Sequence, residues 1–93
     1  MSKTTSAVVT VANKLGLHAR PATLFAETAS KAKSDISVRR CDQEQLVDGK
    51  SVIQMMLLAA TVGTRIEIAA TGCDAHEAVS ALVELVKSGF LED

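Results

Sequence analysis

The spacing of hydrophobic and polar positions along the chain predicts an alternation of strands and helices. Hydrophobic residues occupy every second position over about residues 5–12, 36–39 and 65–71, which is the period of a β-strand with one buried face. A shorter strand is predicted through Leu46 and Val47, because the polar residues 42–44 separate it from the preceding strand at a spacing typical of a hairpin. Since each long strand has one polar face, we expect helices to cover only one side of the sheet.

Three other segments have the helical period, and the first of them has a well-marked start. It runs from Ala19 to about Lys31, with an apolar stripe formed by Ala22, Phe25, Ala26 and Ala29. Pro21 must lie in the first turn of this helix, because proline lacks an N–H and its ring clashes with a preceding turn. His18 should therefore lie at or next to the N-cap.

The second and third helices differ in their patterns. Residues from Val52 to about Ala60 are apolar nearly all round, so part of this short helix should be exposed as a patch or be covered by a partner. The third helix, over residues 75–87, is amphipathic, and Asp74 with Glu77 is predicted to form a capping pair at its start. After this helix, a glycine followed by an apolar residue is typical of a helix end.

The element order β-α-β-β-α-β-α predicts an α+β fold. We expect an open-faced β-sandwich with a four-stranded, mainly antiparallel sheet and three helices on one face. A chain of 93 residues has room for one domain only, so residues 1–93 are predicted to form a single domain. Because 47% of the residues are hydrophobic but only 2% are aromatic, the core should be aliphatic and rich in alanine.

Composition and charge exclude several classes of function. A net charge of -1 disfavours a nucleic-acid-binding protein, which normally carries a basic excess. No apolar run approaches the length of a membrane span, and the N-terminus lacks the apolar stretch of a signal peptide. Cys41 and Cys73 form no CxxC pair, which disfavours a disulfide or a metal site. We therefore expect a cytoplasmic protein with no metal and no cofactor.

The most informative segment is residues 16–22, with the sequence GLHARPA. A helix N-terminus attracts anions, and because Pro21 has no N–H, the donors nearest His18 are the backbone groups of Ala19 and Arg20. The Arg20 guanidinium can also bind phosphate oxygens, and the glycine that opens the segment allows a close approach or a positive φ. These features indicate that His18 is a nucleophile in a phosphate pocket, and so a phosphoryl acceptor. The alternative is that His18 is only a polar residue at a helix start.

The GLHARPA segment resembles the active-site signature of the histidine phosphocarrier proteins of the bacterial phosphotransferase system, the HPr family. The resemblance covers almost the whole chain, through its length, its element order, the pair Lys50 and Ser51, and the glycines at 63 and 72. It implies that His18 accepts a phosphoryl group on Nδ1 from enzyme I, which takes it from phosphoenolpyruvate. His18 would then pass the group to an EIIA-type acceptor, with Arg20 steadying the phosphate. The resemblance implies a monomeric phosphoryl-transfer protein with a phosphohistidine intermediate rather than a free-standing enzyme.

The resemblance also implies a regulatory site and a docking surface. Ser51 matches a serine that a dedicated HPr kinase/phosphorylase modifies in some bacteria, although a helix N-cap alone also explains a serine at this position. Partner proteins would dock on Leu17, Val52, Ile53 and Met56. Met56 suits this role because the methionine side chain adapts to several partners. The alternative is that these apolar residues belong to the core.

Two functions remain open within the family. Residues 13–16 and 88–93 are similar to the nitrogen-related NPr branch, whereas residues 48–51 are more similar to the sugar branch. Of the two functions, we favour a general carrier that serves sugar transport. The alternative is a regulatory docking protein, either in the nitrogen-related branch or switched by phosphorylation of Ser51.

Overall fold

The fold is given by a computed structural model that describes residues 3–91. Met1 and Ser2 at the N-terminus, and Glu92 and Asp93 at the end of the segment that resembles the nitrogen-related branch, lie outside this range. Within it, the elements follow the predicted order: β1 (Lys3–Thr10), α1 (Ala19–Ser30), β2 (Asp35–Arg40), β3 (Val47–Asp48), α2 (Val52–Leu57), β4 (Arg65–Gly72) and α3 (Ala75–Lys87).

These strands form one antiparallel sheet in the order β1-β4-β2-β3. The central strand β4 pairs along its whole length with β1 and over six positions with β2. Ile66 and Ile68 on its inner face are completely buried, whereas Arg65 on the outer face is exposed. The predicted sheet with one covered face and one solvated face is therefore confirmed.

The three helices lie against the covered face and enclose an aliphatic core. The predicted stripe of α1 is buried along its length, and Phe25 and Phe90 are both fully buried. The radius of gyration is 11.7 Å, close to the ~12 Å expected for a compact chain of this length. No helix within residues 3–91 is long and apolar enough to span a membrane.

Helix α2 ends at Leu57, three residues before its predicted end. Ala59 has a φ of 56°, in the left-handed region, and its N–H donates to the Met56 carbonyl across a tight turn (3.1 Å). The apolar pattern continues past the helix because Leu58 and Ala60 are buried in the core. The apolar pattern therefore predicted correctly which residues are buried, but the helix ends before the pattern does.

Asp74 occupies the N-cap position of α3, but its side chain makes no capping bond, so the predicted capping pair with Glu77 is wrong. Its carboxylate accepts hydrogen bonds from the Ser34 hydroxyl and from the backbone N–H groups of Lys33 and Ser34 (2.9 Å each). These bonds, the one from the Ser34 hydroxyl above all, lower the pKa of Asp74 from 3.8 to about 2. The carboxylate thus ties the turn between α1 and β2 to the start of α3.

Candidate functional site

His18 is the N-cap residue of α1, as the sequence predicts. Its backbone is extended, with φ -79° and ψ -172°, and its carbonyl accepts the first helical hydrogen bond from the Ala22 N–H (3.0 Å). The side chain makes no capping bond to the helix, and the residue is half-buried. His18 therefore stands at the point where loop becomes helix, and the residue is partly exposed to solvent.

The first turn of α1 provides an environment suited to an anion. The N–H groups of Ala19 and Arg20 precede any carbonyl that could accept from them within the helix, and the buried Pro21 has no N–H. Arg20 is exposed at the surface, and the first turn contains no acidic residue. The positive end of a helix of 12 residues therefore lies at His18, and the first turn carries an arginine and no carboxylate.

The loop before His18 packs on the backbone of the loop that follows α2. The Leu17 N–H donates to the Ala60 carbonyl (2.9 Å), and the Asn13 side-chain amide donates to the Gly16 carbonyl (2.7 Å). Gly16 has a φ of 65°, and a Cβ at this position would lie 2.4 Å from the Ala60 carbonyl oxygen. The glycine is therefore needed both for its positive φ and for close approach, the two alternatives that the sequence left open.

Ser51 is the N-cap residue of α2, and its hydroxyl accepts a hydrogen bond from the Gln54 N–H (3.2 Å). The residue is half-buried. Its neighbour Lys50 donates through Nζ to the Ala32 carbonyl (2.9 Å), just beyond the end of α1. The capping role of Ser51 is therefore confirmed, while its regulatory role stays a prediction.

An apolar surface is exposed on α2. Ile53, Met56 and Leu57 are 72%, 43% and 74% exposed, and we call these three residues the α2 patch. Residues three and four positions apart lie on one side of a helix, so the α2 patch occupies a single side of α2. Met55, on the opposite side, is completely buried. Leu57 is absent from the predicted docking residues. Two positions along a helix place residues on opposite sides, so the burial of Met55 would have predicted that Leu57 is exposed.

The other two predicted docking residues do not lie on the α2 patch. Leu17 is only 5% exposed and belongs to the core, so its prediction as a docking residue is wrong. Its side chain is buried because the loop that carries it is drawn against the backbone of Ala60. Val52 is half-buried and packs against the core.

The remaining residues with reactive or metal-ligating side chains are scattered. Cys41 is half-buried and Cys73 is exposed, and both are free thiols. His76 is exposed in the first turn of α3. Within residues 3–91, no three histidine, cysteine, aspartate or glutamate side chains are grouped so that they could hold a metal ion.

Comparisons with known proteins give close relatives. A family model described as the PTS HPr component phosphorylation site matches residues 5–88. The phosphocarrier protein HPr of Neisseria meningitidis serogroup A is 44% identical over 84 residues, which are 90% of this chain and 92% of that protein. The phosphocarrier protein NPr of Escherichia coli K12 is 37% identical over 90 residues, 97% of this chain and 99% of that protein. The crystal structure of HPr-C-His from Thermoanaerobacter tengcongensis has a TM-score of 0.88 at 40% identity, covering 96% of this chain and 98% of that one.

The matched residues 5–88 include every part of the site: the loop before His18, helices α1 and α2, and the loop after α2. The solved relative shares the open sheet and its helices over nearly the whole of both chains. Sequence, fold and site geometry thus agree. The chain belongs to the HPr family and is a phosphocarrier protein of the phosphotransferase system.

Proposed function

We propose that His18 is the residue that receives the phosphoryl group and passes it on. The observation that carries the proposal is the position of His18 as N-cap of α1, beside the first N–H groups of the helix and Arg20. The lone pair of Nδ1 forms a bond to phosphorus while the bond between phosphorus and the donor's leaving atom breaks. In the second transfer, the acceptor's nucleophile takes the phosphoryl group, and His18 regains its lone pair.

Arg20 and the backbone donors would hold the phosphate oxygens during both transfers. The guanidinium presents several N–H groups in a plane that matches phosphate geometry, and the helix end favours the negative charge. Because the site lies at the surface, a donor and an acceptor protein can reach the same imidazole in turn. The family implies enzyme I as the donor, an EIIA-type protein as the acceptor, and the cytoplasm as their common location.

The two histidines of the chain supply a matched experiment for this proposal. Purified protein is incubated with labelled phosphoenolpyruvate and the cognate enzyme I, and far-UV circular dichroism verifies that each variant is folded. We expect the wild type and His76→Ala to be labelled and His18→Ala to remain unlabelled. Arg20→Gln should fold normally and be labelled at least about tenfold more slowly, because one donor to the transferred group is lost. Label on folded His18→Ala protein would overturn the proposal.

The α2 patch is proposed as part of the docking surface for both partners. Met56→Ser should raise the KM for transfer from enzyme I, because it replaces an exposed apolar side chain that a partner would bury. Val8→Ser is the matched control, since Val8 is 45% exposed on the open face of the sheet and Met56 is 43% exposed. Equal KM values for the two variants would exclude the α2 patch from the docking surface.

A regulatory role is the second candidate function. It is supported by the partly accessible Ser51 hydroxyl and by relatives of both branches, HPr proteins at 44% and NPr proteins at 37% identity. Transfer from phosphorylated protein to a sugar-type and to a nitrogen-type acceptor, measured side by side, separates the branches. If an HPr kinase/phosphorylase acts on this chain, it should label the wild type but not Ser51→Ala.

A further inference from the structure

We propose that Arg40, at the end of β2, is a positioning residue that holds the His18 loop in place through the loop after α2. This inference rests on the proposed role of His18 as the phosphoryl acceptor. We call residues 59–64 the support loop. Three contacts connect the Arg40 guanidinium to the support loop, and the support loop to Leu17, the residue before His18.

The first contact is a fork between Arg40 and Asp42. Nε and Nη2 of Arg40 each donate to one carboxylate oxygen of Asp42 at 3.1 Å, which fixes the plane of the guanidinium. Its remaining nitrogen Nη1 then donates to the Ala59 carbonyl at 3.1 Å. The hydrogen bond from Arg40 lowers the pKa of Asp42 below 3.8, so the fork is intact at neutral pH.

The second contact acts on a residue with an uncommon backbone conformation. Ala59 has a φ of 56°, which a residue with a Cβ adopts only when its surroundings hold it there. The bond from Arg40 to the Ala59 carbonyl restrains this peptide group. The orientation of Ala59 in turn sets where the next carbonyl, that of Ala60, points.

The third contact joins the support loop to the site. The Ala60 carbonyl accepts the Leu17 N–H at 2.9 Å and lies against Gly16, so its position determines where the chain enters His18. The far end of the support loop is fastened separately, because the Gly63 N–H donates to the Val11 carbonyl at 2.8 Å. Arg40 therefore restrains the end of the support loop on which the His18 loop rests.

Arg39 provides the matched control, because it carries the same charge on the same strand. Its side chain lies on the other face of the sheet, where Nε donates to Glu67 at 2.9 Å. The two arginine side chains are similarly accessible, at 31% for Arg39 and 23% for Arg40. A change of Arg39 to glutamine removes one positive charge, the ion pair with Glu67 and the Nη1 bonds to the backbone carbonyls of residues 40, 41 and 43. It leaves the side-chain bond from Arg40 to the Ala59 carbonyl in place.

The test compares Arg40→Gln, Arg40→Lys and Arg39→Gln in two measurements. The first is amide hydrogen exchange of Leu17, referred to that of Ile68 in the central strand. The second is the kcat and KM of phosphoryl transfer from enzyme I. We expect Arg40→Gln to accelerate Leu17 exchange on the order of tenfold relative to Ile68 and to lower kcat several-fold at unchanged KM. Arg40→Lys should have smaller effects on both, because an ammonium group can also donate to the Ala59 carbonyl. Arg39→Gln should change both much less than Arg40→Gln does, because it leaves the bond to the Ala59 carbonyl in place.

Two outcomes would overturn the inference while leaving the role of His18 intact. One is that Arg40→Gln accelerates exchange at Leu17 and Ile68 equally, which means a general loss of stability. The other is that Arg40→Gln and Arg39→Gln behave alike in both measurements. If Arg40→Gln does not fold, Arg40→Lys and Asp42→Asn are compared with Arg39→Gln in the same two measurements, because Asp42→Asn weakens the fork. Failure of the proposed function would be seen separately, as label on His18→Ala.

Discussion

Replacement of Gly16 by alanine tests whether direct backbone contact holds the loop before His18 in place. The added Cβ would lie 2.4 Å from the Ala60 carbonyl oxygen and 2.8 Å from the Thr61 Cα. Both are backbone atoms, so no side-chain rotation can relieve the overlap and the two loops must separate. Gly63→Ala is the matched control, because Gly63 also has a positive φ (88°) but its added Cβ would meet nothing within 4 Å.

The expected loss of unfolding free energy differs between the two variants. An alanine in the left-handed conformation costs ~1–2 kcal/mol, which is the whole effect expected for Gly63→Ala. In Gly16→Ala, the displaced Ala60 carbonyl also weakens its 2.9 Å bond from the Leu17 N–H, for ~1 kcal/mol. Overpacking against the backbone adds ~1 kcal/mol or more. We therefore expect Gly16→Ala to lose about 3–5 kcal/mol, against about 1–2 kcal/mol for Gly63→Ala.

Urea unfolding followed by far-UV circular dichroism measures both losses, since the chain has no tryptophan or tyrosine for a fluorescence assay. Transfer from enzyme I is then measured under conditions in which both variants are folded. We expect Gly16→Ala to be phosphorylated more slowly than Gly63→Ala, because the displaced loop carries His18 with it. Equal losses of stability, or equal rates of phosphorylation, would refute the argument that close approach to Ala60 defines the site.

Two further predictions concern the scaffold. Asp74→Asn should destabilise the protein above about pH 4 and lose its effect as the pH falls towards 2, because a carboxylate with a folded pKa of about 2 stabilises only while it is ionised. Urea unfolding from pH 2 to pH 7 measures the difference in unfolding free energy between the variant and the wild type. A difference that does not change with pH would contradict the prediction. Met55→Ala should lose ~2–5 kcal/mol of unfolding free energy, because Met55 is completely buried. The exposed neighbour should be nearly neutral, with Met56→Ala within ~0.5 kcal/mol of the wild type, and similar losses for the two methionine variants would show that α2 is packed differently.

The parts of the structure that depend on local patterns were predicted well. The stripe of α1 is buried as expected, and α3 ends as its sequence predicts. There the Gly89 N–H donates to Val86 and the Phe90 N–H donates to Leu85 (3.0 Å each), so that the apolar Phe90 turns back into the core. The position of His18 as N-cap followed from one steric rule about proline. Such features are predictable because the residues that determine them lie within one or two helical turns.

The predictions that failed depend on contacts between residues far apart in the chain. Asp74 has a side chain suited to capping its own helix, but the turn at Lys33 and Ser34 offers it three donors. Leu17 is apolar and next to His18, the proposed phosphoryl acceptor, which favours an exposed docking residue, but Leu17 is buried where its N–H bonds to the Ala60 carbonyl. No periodicity in the sequence contains this information, because it arises only when the strands bring the loops together.

During synthesis, the contact between Gly16 and Ala60 can form only after Ala60 has left the ribosome. His18 leaves the ribosome before the backbone that holds its loop, which follows more than 40 residues later. At ~5–20 residues per second, the unfinished chain carries an unpositioned imidazole for roughly 2–9 seconds. Nascent and truncated chains that end before Ala60 would therefore be poor phosphate acceptors, and would not compete with complete carriers for the phosphoryl donor.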